Sequence, residues 1–378
     1  MKPDVELESG IRSQLNAMSS SLIPGLLAGI MVVILSVTLS SLIFTGRLSP
    51  FIGEGVVLAI NTAIITGLGI ALFSHCKPVI AMVDEDTAPV FALLVSLAVA
   101  SVPLTASGDQ IYTAALAIII ASTLVTGLGL ALMGFFKFGA FIQFLPHSVL
   151  GGYFSAVGWL LVTEGLKVTV GNVPSSWEDL LQMTTISDVL HILAALLIGI
   201  WLLFMRRRLT QNMLLPGTVL FVAVAWYAVL YLSGVTPDQA MQQGLLLGPF
   251  DGHGVHPLTP LAGVELSNVA WLPIFANSGS IASIFLIAVL SMILSISGIG
   301  FLTSTEPDMN HELKVAGLAN IFSGFGGGMI GLPSYSLSSL ALNMGAAKER
   351  WVGIIAILVC VLVFLFGMGL LEYIPRFI

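Results

Sequence analysis

Any fold proposed for this chain must accommodate two breaks in otherwise apolar runs. They read Lys77-Pro-Val-Ile-Ala-Met-Val-Asp-Glu-Asp-Thr-Ala-Pro89 and Gly324-Phe-Gly-Gly-Gly-Met-Ile-Gly-Leu-Pro-Ser-Tyr-Ser336. Each is a short extended piece followed by the start of a helix, one in the first third of the chain and one near its end. In hydrocarbon, such irregular backbone survives only where protein or a water-lined cavity satisfies its N–H and C=O groups. A pair of interrupted apolar segments at corresponding places in two halves points to the binding site of a solute carrier.

The composition is that of a polytopic membrane protein. Hydrophobic residues make up 57% and charged residues 9%, against about 25% charged in a soluble domain. Residues 21–378 divide into apolar spans and short connectors and form one transmembrane domain, preceded by a cytoplasmic segment, 1–20. The formal charge of -7, without a basic tract, excludes a nucleic-acid partner. Cys76 and Cys360 border or sit in apolar runs and read as buried thiols. The residues before Ser19 mix acids and bases and lack the basic start of a cleaved signal peptide.

A spanning helix needs about 20 mainly apolar residues. Spans are predicted at 22–44, 54–73, 111–135, 148–166, 189–205, 214–232, 281–301 and 352–371. Shorter pieces at 87–102, 313–325 and 335–344 are half-helices, or spans completed by the extended residues before them. Together they give about eleven crossings. Arg206-Arg207-Arg208, Lys137, and Lys348 with Arg350 fall on one side if the N-terminus is cytoplasmic, with Arg47 and Lys167 as single exceptions.

At the first break, 77–83 suits a short strand, Asp86 or Thr87 an N-cap, and Pro89 the first helical turn. At the second, Gly326-Gly-Gly-Met-Ile-Gly331 lets backbones pass closely, Pro333 stops a strand, and Ser334 or Ser336 caps a helix through Leu340. Two helix N-termini facing each other would present free N–H groups and partial positive charge to one point, which favours an anion. Asp84-Glu85-Asp86 works against that. Either Glu85 or Asp86 carries a coupling proton or cation, or the acids form a cap and a solvated turn nearer the membrane surface. Gly324–Gly331 also suits plain close helix packing. His147, His191 and His311 read as structural, and His311-Glu312 lacks the second histidine of a zincin motif, so no metal site and no cofactor are expected. Without paired aspartates, a Ser/His pair or a metal cluster on adjacent spans, the chain does not read as an enzyme.

Two further stretches carry a family resemblance. Phe141-Ile-Gln-Phe-Leu-Pro-His-Ser-Val-Leu-Gly-Gly-Tyr-Phe154 and Asn310-His-Glu-Leu-Lys-Val-Ala-Gly-Leu-Ala-Asn-Ile-Phe-Ser-Gly-Phe-Gly-Gly-Gly328 resemble segments of the SulP sulfate-permease family of anion transporters. The resemblance runs from about residue 20 onward and implies an all-α inverted-repeat transporter of the 7+7 type, with two short strands preceding half-helices. In it, a core domain moves against a gate domain and holds an anion between the N-termini of the third and tenth helices. Carried over by position, the substrate site is Asp86, Thr87 and Ala88 on one side and Ser334, Tyr335 and Ser336 on the other, with Glu85 and Asp86 as coupling candidates. The first break reads Val83-Asp-Glu-Asp-Thr87 where the family usually has Gly-Pro-Thr or similar. Gly298-Ile-Gly300 occupies the place where many members carry an acid on the eighth span. Against that family's length, the second repeat is expected to be incomplete, with the later spans and the cytoplasmic STAS domain absent.

The function expected from the sequence is secondary transport or exchange of a small anion such as sulfate or bicarbonate, by alternating access in a bacterial plasma membrane. A coupling proton or sodium ion and a homodimer are compatible with it. The alternatives are a uracil-permease-like carrier of a neutral solute and a non-transporting membrane remnant.

Overall fold

The computed structural model describes residues 3–103, 105–139, 151–152, 155–163, 211–242 and 278–373, with isolated positions between 193 and 205 and at 246. The predicted span 189–205, the Phe141–Phe154 motif, Arg206–Arg208, His147 and His191 lie wholly or largely outside the described residues, and the described part of the predicted span 148–166 is helical. Helix α1 (Pro3–Ile43) is followed by a 3₁₀ turn (Gly46–Phe51) and α2 (Ile52–Phe73). Strand β1 (Ala81–Val83) leads to α3 (Ala88–Ala100) and α4 (Gly108–Phe135). After α5 (Gln211–Ser233) and the short α6 (Pro237–Gln242) come α7 (Ser278–Thr303) and α8 (Met309–Phe325). Strand β2 (Gly331–Pro333) precedes α9 (Tyr335–Asn343), and α10 (Trp351–Leu362) continues through a π-helical turn, Val363–Gly367. Among the described residues, four helical segments are long and apolar enough to cross a membrane: Asn16–Ile43, Gly46–Phe73, Gly108–Phe135 and Ser278–Thr303.

Both breaks lie where the sequence puts them, and each is a strand followed by a short helix. The first strand is shorter than the predicted 77–83, because only Ala81–Val83 faces a partner. β1 and β2 pair antiparallel, with Ala81 opposite Pro333, Met82 opposite Leu332 and Val83 opposite Gly331. The ladder extends past both ends: Asp84 N–H donates to Ile330 C=O at 3.0 Å, and Ser334 N–H donates to Ile80 C=O at 2.8 Å.

Side chains of α2 and α8 complete the backbone accounting. Asn320 acts as a substitute strand edge: its Nδ2 donates to Gly331 C=O at 2.7 Å and its Oδ1 accepts from Gly331 N–H at 2.8 Å. Thr62 Oγ1 accepts from Met329 N–H at 2.6 Å, Ser323 Oγ donates to Met329 C=O at 2.9 Å, and Asn61 Nδ2 donates to Gly326 C=O at 2.8 Å. These contacts matter because an unsatisfied buried polar group costs about 1–3 kcal/mol, and the bilayer offers no water as a substitute.

α8 packs along α4 at backbone contact distance. A Cβ on Gly127 would sit 2.8 Å from Ile321 N, and one on Gly317 would strike the Ala131 backbone. Small residues at a helix crossing permit this approach, which seats Asn320 and Ser323 against the second break. The packing explanation therefore holds for Gly324, whose Cβ would meet Leu124. It does not hold for Gly327, whose φ of +77° turns the chain out of α8 into the break.

Two cations close helix C-termini. Arg47 donates to the carbonyls of Val99, Val102 and Pro103 at the end of α3, and Lys348 Nζ donates to Thr303 C=O at the end of α7. The position of Arg47, an exception on loop charge alone, follows from the helix end it caps.

Candidate functional site

The strand pair makes α3 and α9 start from one platform, and the two starts match residue for residue. On the second side Ser334 is the N-cap: its Oγ accepts from Leu337 N–H at 3.3 Å, and its C=O accepts from Ser338 N–H at 3.2 Å. On the first side Asp84 makes the same two bonds, Oδ2 from Thr87 N–H at 2.9 Å and C=O from Ala88 N–H at 3.2 Å. Asp84, Glu85 and Asp86 are thus the structural counterparts of Ser334, Tyr335 and Ser336.

Regular helix at the first break begins after Thr87, the N-cap residue, as the sequence suggests, while the side-chain capping bond comes from Asp84 three residues earlier. Thr87 offers no side-chain cap, and its hydroxyl donates to Asp84 C=O. Proline chemistry explains the displacement. The chain already turns at Asp84, but Pro89 has no N–H to give the Glu85 carbonyl, so regular helix begins only at Ala88. Pro89 itself sits in the first turn of that helix, as read from the sequence.

Both helix starts open on one cavity of about 300 Å³. Asp84, Glu85 and Asp86 line one side and Ser334, Tyr335 and Ser336 the other, with Ser291, Ser295 and Gly298 of α7 closing it. Of the residues expected from sequence, Glu85, Asp86, Ser334, Tyr335 and Ser336 line this cavity. Thr87 and Ala88 do not; each is 2% exposed and packed behind the wall.

The electrostatics of the two sides differ. The first four N–H groups of a helix have no partner within the helix. Capping uses one at each start, which leaves the N–H groups of Tyr335 and Ser336 at a partially positive tip. At the α3 tip the equivalent N–H groups belong to Glu85 and Asp86, whose own carboxylates accompany them. Among the described residues, the lining contains no lysine, arginine or histidine.

Sequence reasoning missed Asp84 as a positioning residue, and it missed Ser291, whose Oγ donates to Asp84 Oδ1 at 2.6 Å from α7. Asp84 is thereby fixed through both carboxylate oxygens. A usable signal existed: Ala81-Met-Val-Asp84 and Gly331-Leu-Pro-Ser334 are both a strand triplet followed by a capping residue. Gly298 belongs to the stretch Gly298-Ile-Gly300, near which the family resemblance leads one to expect an acid on the eighth span. A Cβ on Gly298 would lie 2.6 Å from the Tyr335 ring, so the missing side chain leaves room for that ring beside α7.

Comparison with known proteins agrees with this architecture. The transmembrane domain of the cyanobacterial bicarbonate transporter BicA superposes with a TM-score of 0.69 at 19% identity, covering 94% of this chain and 86% of that one. The murine anion transporter Slc26a9 in its inward-facing state gives 0.67 at 16%, covering 94% of this chain and 58% of that one. In sequence, the vacuolar basic amino acid transporter VSB1 of Saccharomyces cerevisiae is 21% identical over 276 residues, 72% of this chain and 26% of that protein. BicA of Picosynechococcus is 24% identical over 335 residues, 85% of this chain and 54% of that protein. The chain thus spans about a quarter and about half the length of these two curated relatives. The fold is an all-helical inverted-repeat transporter fold with a short strand before each half-helix. With the Sulfate permease family profile matching residues 18–378, this chain belongs to that family of multi-pass membrane transporters.

Proposed function

We propose that this chain is a secondary transporter of a small anion, working by alternating access with the solute held in the cavity between the two helix starts. The observation that carries the reading is the pairing, in one cavity, of the uncharged α9 tip with the carboxylates at the α3 tip. An anionic group accepts hydrogen bonds from the N–H groups of Tyr335 and Ser336, beside the Ser334 and Ser336 hydroxyls. A proton or sodium ion on Glu85 or Asp86 offsets the opposing charge and couples the solute to an ion gradient. Thr87 and Ala88 support the wall from behind. The bicarbonate and anion transport named for BicA and Slc26a9 favours an inorganic anion such as bicarbonate or sulfate. Residues 1–20 then form a cytoplasmic lead-in to a transmembrane domain, 21–378, in a bacterial plasma membrane, and a homodimer suits the reading.

A second reading has its own observation. Three carboxylates with no basic neighbour among the described lining residues suit a solute that brings its own positive charge. An amino acid would place its carboxylate at α9 and its ammonium group at α3. The basic amino acid substrate named for the yeast relative points the same way.

Uptake into proteoliposomes tests both. Labelled sulfate, bicarbonate, arginine, glycine and uracil are offered with and without proton or sodium gradients. Gradient-dependent uptake of an inorganic anion supports the first reading, and uptake of arginine or glycine supports the second. Uracil uptake alone moves the chain to the neutral-solute class, and no uptake by folded protein leaves the membrane-remnant reading.

A further inference from the structure

At the opposite end of the two helices that brace the second break, three side chains converge from distant parts of the sequence. His75 follows the C-terminus of α2, and His311 and Glu312 lie in the first turn of α8. Their candidate ligand atoms all lie within 4.8 Å of one another. We propose that His75, His311 and Glu312 form a binding site for a divalent transition-metal cation such as Zn²⁺, clipping the end of α2 to the start of α8.

Each residue is prepared for the role. Glu312 is 1% exposed, and its Oε1 accepts from His75 N–H at 2.8 Å. Its Oε2 is buried without a hydrogen-bond partner. A carboxylate oxygen kept from water and left open is costly, and a bound cation compensates it. The His311 Nε2 lies 2.9 Å from Phe73 C=O. A carbonyl only accepts, so Nε2 carries the proton, and in the neutral ring Nδ1 keeps its lone pair. Metal-ligating histidines characteristically donate their other nitrogen to a backbone carbonyl in this way.

The donor set, two imidazoles and a carboxylate, suits Zn²⁺ with water as a fourth ligand. Bonds of about 2.0–2.2 Å in tetrahedral geometry put ligand atoms roughly 3.3–3.5 Å apart, a modest contraction from the present spacing. The two imidazole rings now lie parallel, 3.9 Å between centroids and 2° between planes. Sharing one ion requires a ring to turn out of the stack, and His75, the exposed member, is free to do so. The site is separate from the cavity and does not depend on the transport reading.

The test uses the purified full chain in detergent. Zn²⁺ should raise the apparent Tm by several degrees, and Co²⁺ in its place should add visible d–d absorption bands of a tetrahedral site. Both effects should vanish in His75→Ala, a change at an exposed side chain that leaves the fold intact. Both should weaken at least tenfold in apparent affinity in Glu312→Gln, which keeps the acceptor for His75 N–H and removes the anionic donor. An unaltered Tm in the wild-type chain, or a Zn²⁺ response that survives His75→Ala, overturns the proposal.

Discussion

The start of α3 and the start of α9 share a backbone plan and differ in charge. Each follows a three-residue strand and is capped by the residue after that strand, with the next two residues facing the cavity. At α3 those three residues are Asp84, Glu85 and Asp86; at α9 they are Ser334, Tyr335 and Ser336. The backbone plan sets where a solute can sit, and the side chains set which charge it meets there. A helix tip filled with carboxylates has lost its attraction for anions, whereas a tip capped by a serine hydroxyl retains it.

The largest expected effect comes from making the second tip resemble the first. Ser336→Glu, at the counterpart of Asp86, should cut anion uptake by at least ~100-fold, since like charges brought together cost several kcal/mol and each 1.4 kcal/mol is about tenfold. Unchanged uptake in proteoliposomes removes α9 from the site.

Next, the two caps should differ in value. Asp84→Ala removes the cap of α3 and the acceptor for Ser291, and should cost about 2–3 kcal/mol. Ser334→Ala removes a neutral cap and should cost about 1 kcal/mol. Unfolding followed by intrinsic tryptophan fluorescence compares them, and equal losses would erase the proposed asymmetry. Asp84→Asn, which keeps one acceptor for Thr87 N–H and turns the contact with Ser291 Oγ into a donation from Nδ2, should recover part of the difference.

Asp86→Asn should flatten the pH dependence of uptake several-fold if that carboxylate carries the coupling proton. A pH profile identical to wild type returns Asp86 to a purely electrostatic role. The smallest effect is expected at the far end of α3, where Arg47→Ala should lower stability by about 0.5–1 kcal/mol through loss of its C-terminal cap, with uptake retained. A larger loss of uptake than of stability would mean that the orientation of α3 is set from that end.

The breaks were legible because glycine, proline and charge in an apolar run are local signals. Pro333 as the strand end and the short helices near 88–100 and 335–343 could be read directly, and the second cap could be narrowed to Ser334 or Ser336, of which Ser334 is the one used. The site was legible only in part, because its fixing contacts are long-range. Ser291 and Asp84 are 207 residues apart, and His75 and Glu312 are 237 apart; no periodicity couples them. The positional resemblance puts Thr87 and Ala88 in the lining, but the chain already turns at Asp84, so Glu85 and Asp86 face the cavity and the next two residues pack behind them. The Asn310–Gly328 motif was recognisable as a pattern, but its physical content appears only in three dimensions. Asn310 accepts from Gly139 N–H, Glu312 from His75 N–H, Gly317 admits α4, and Asn320 pairs with Gly331.

The pairing of β1 with β2 has a consequence for biosynthesis. Ala81 and its partner Pro333 are 252 positions apart, which at about 5–20 residues per second is roughly 12–50 s of ribosome time. Throughout that interval the amides and carbonyls of Ala81–Val83 must remain unmated, sheltered by the insertion machinery or by water. The nascent first half therefore waits for the codons of Gly331–Pro333 before it can close.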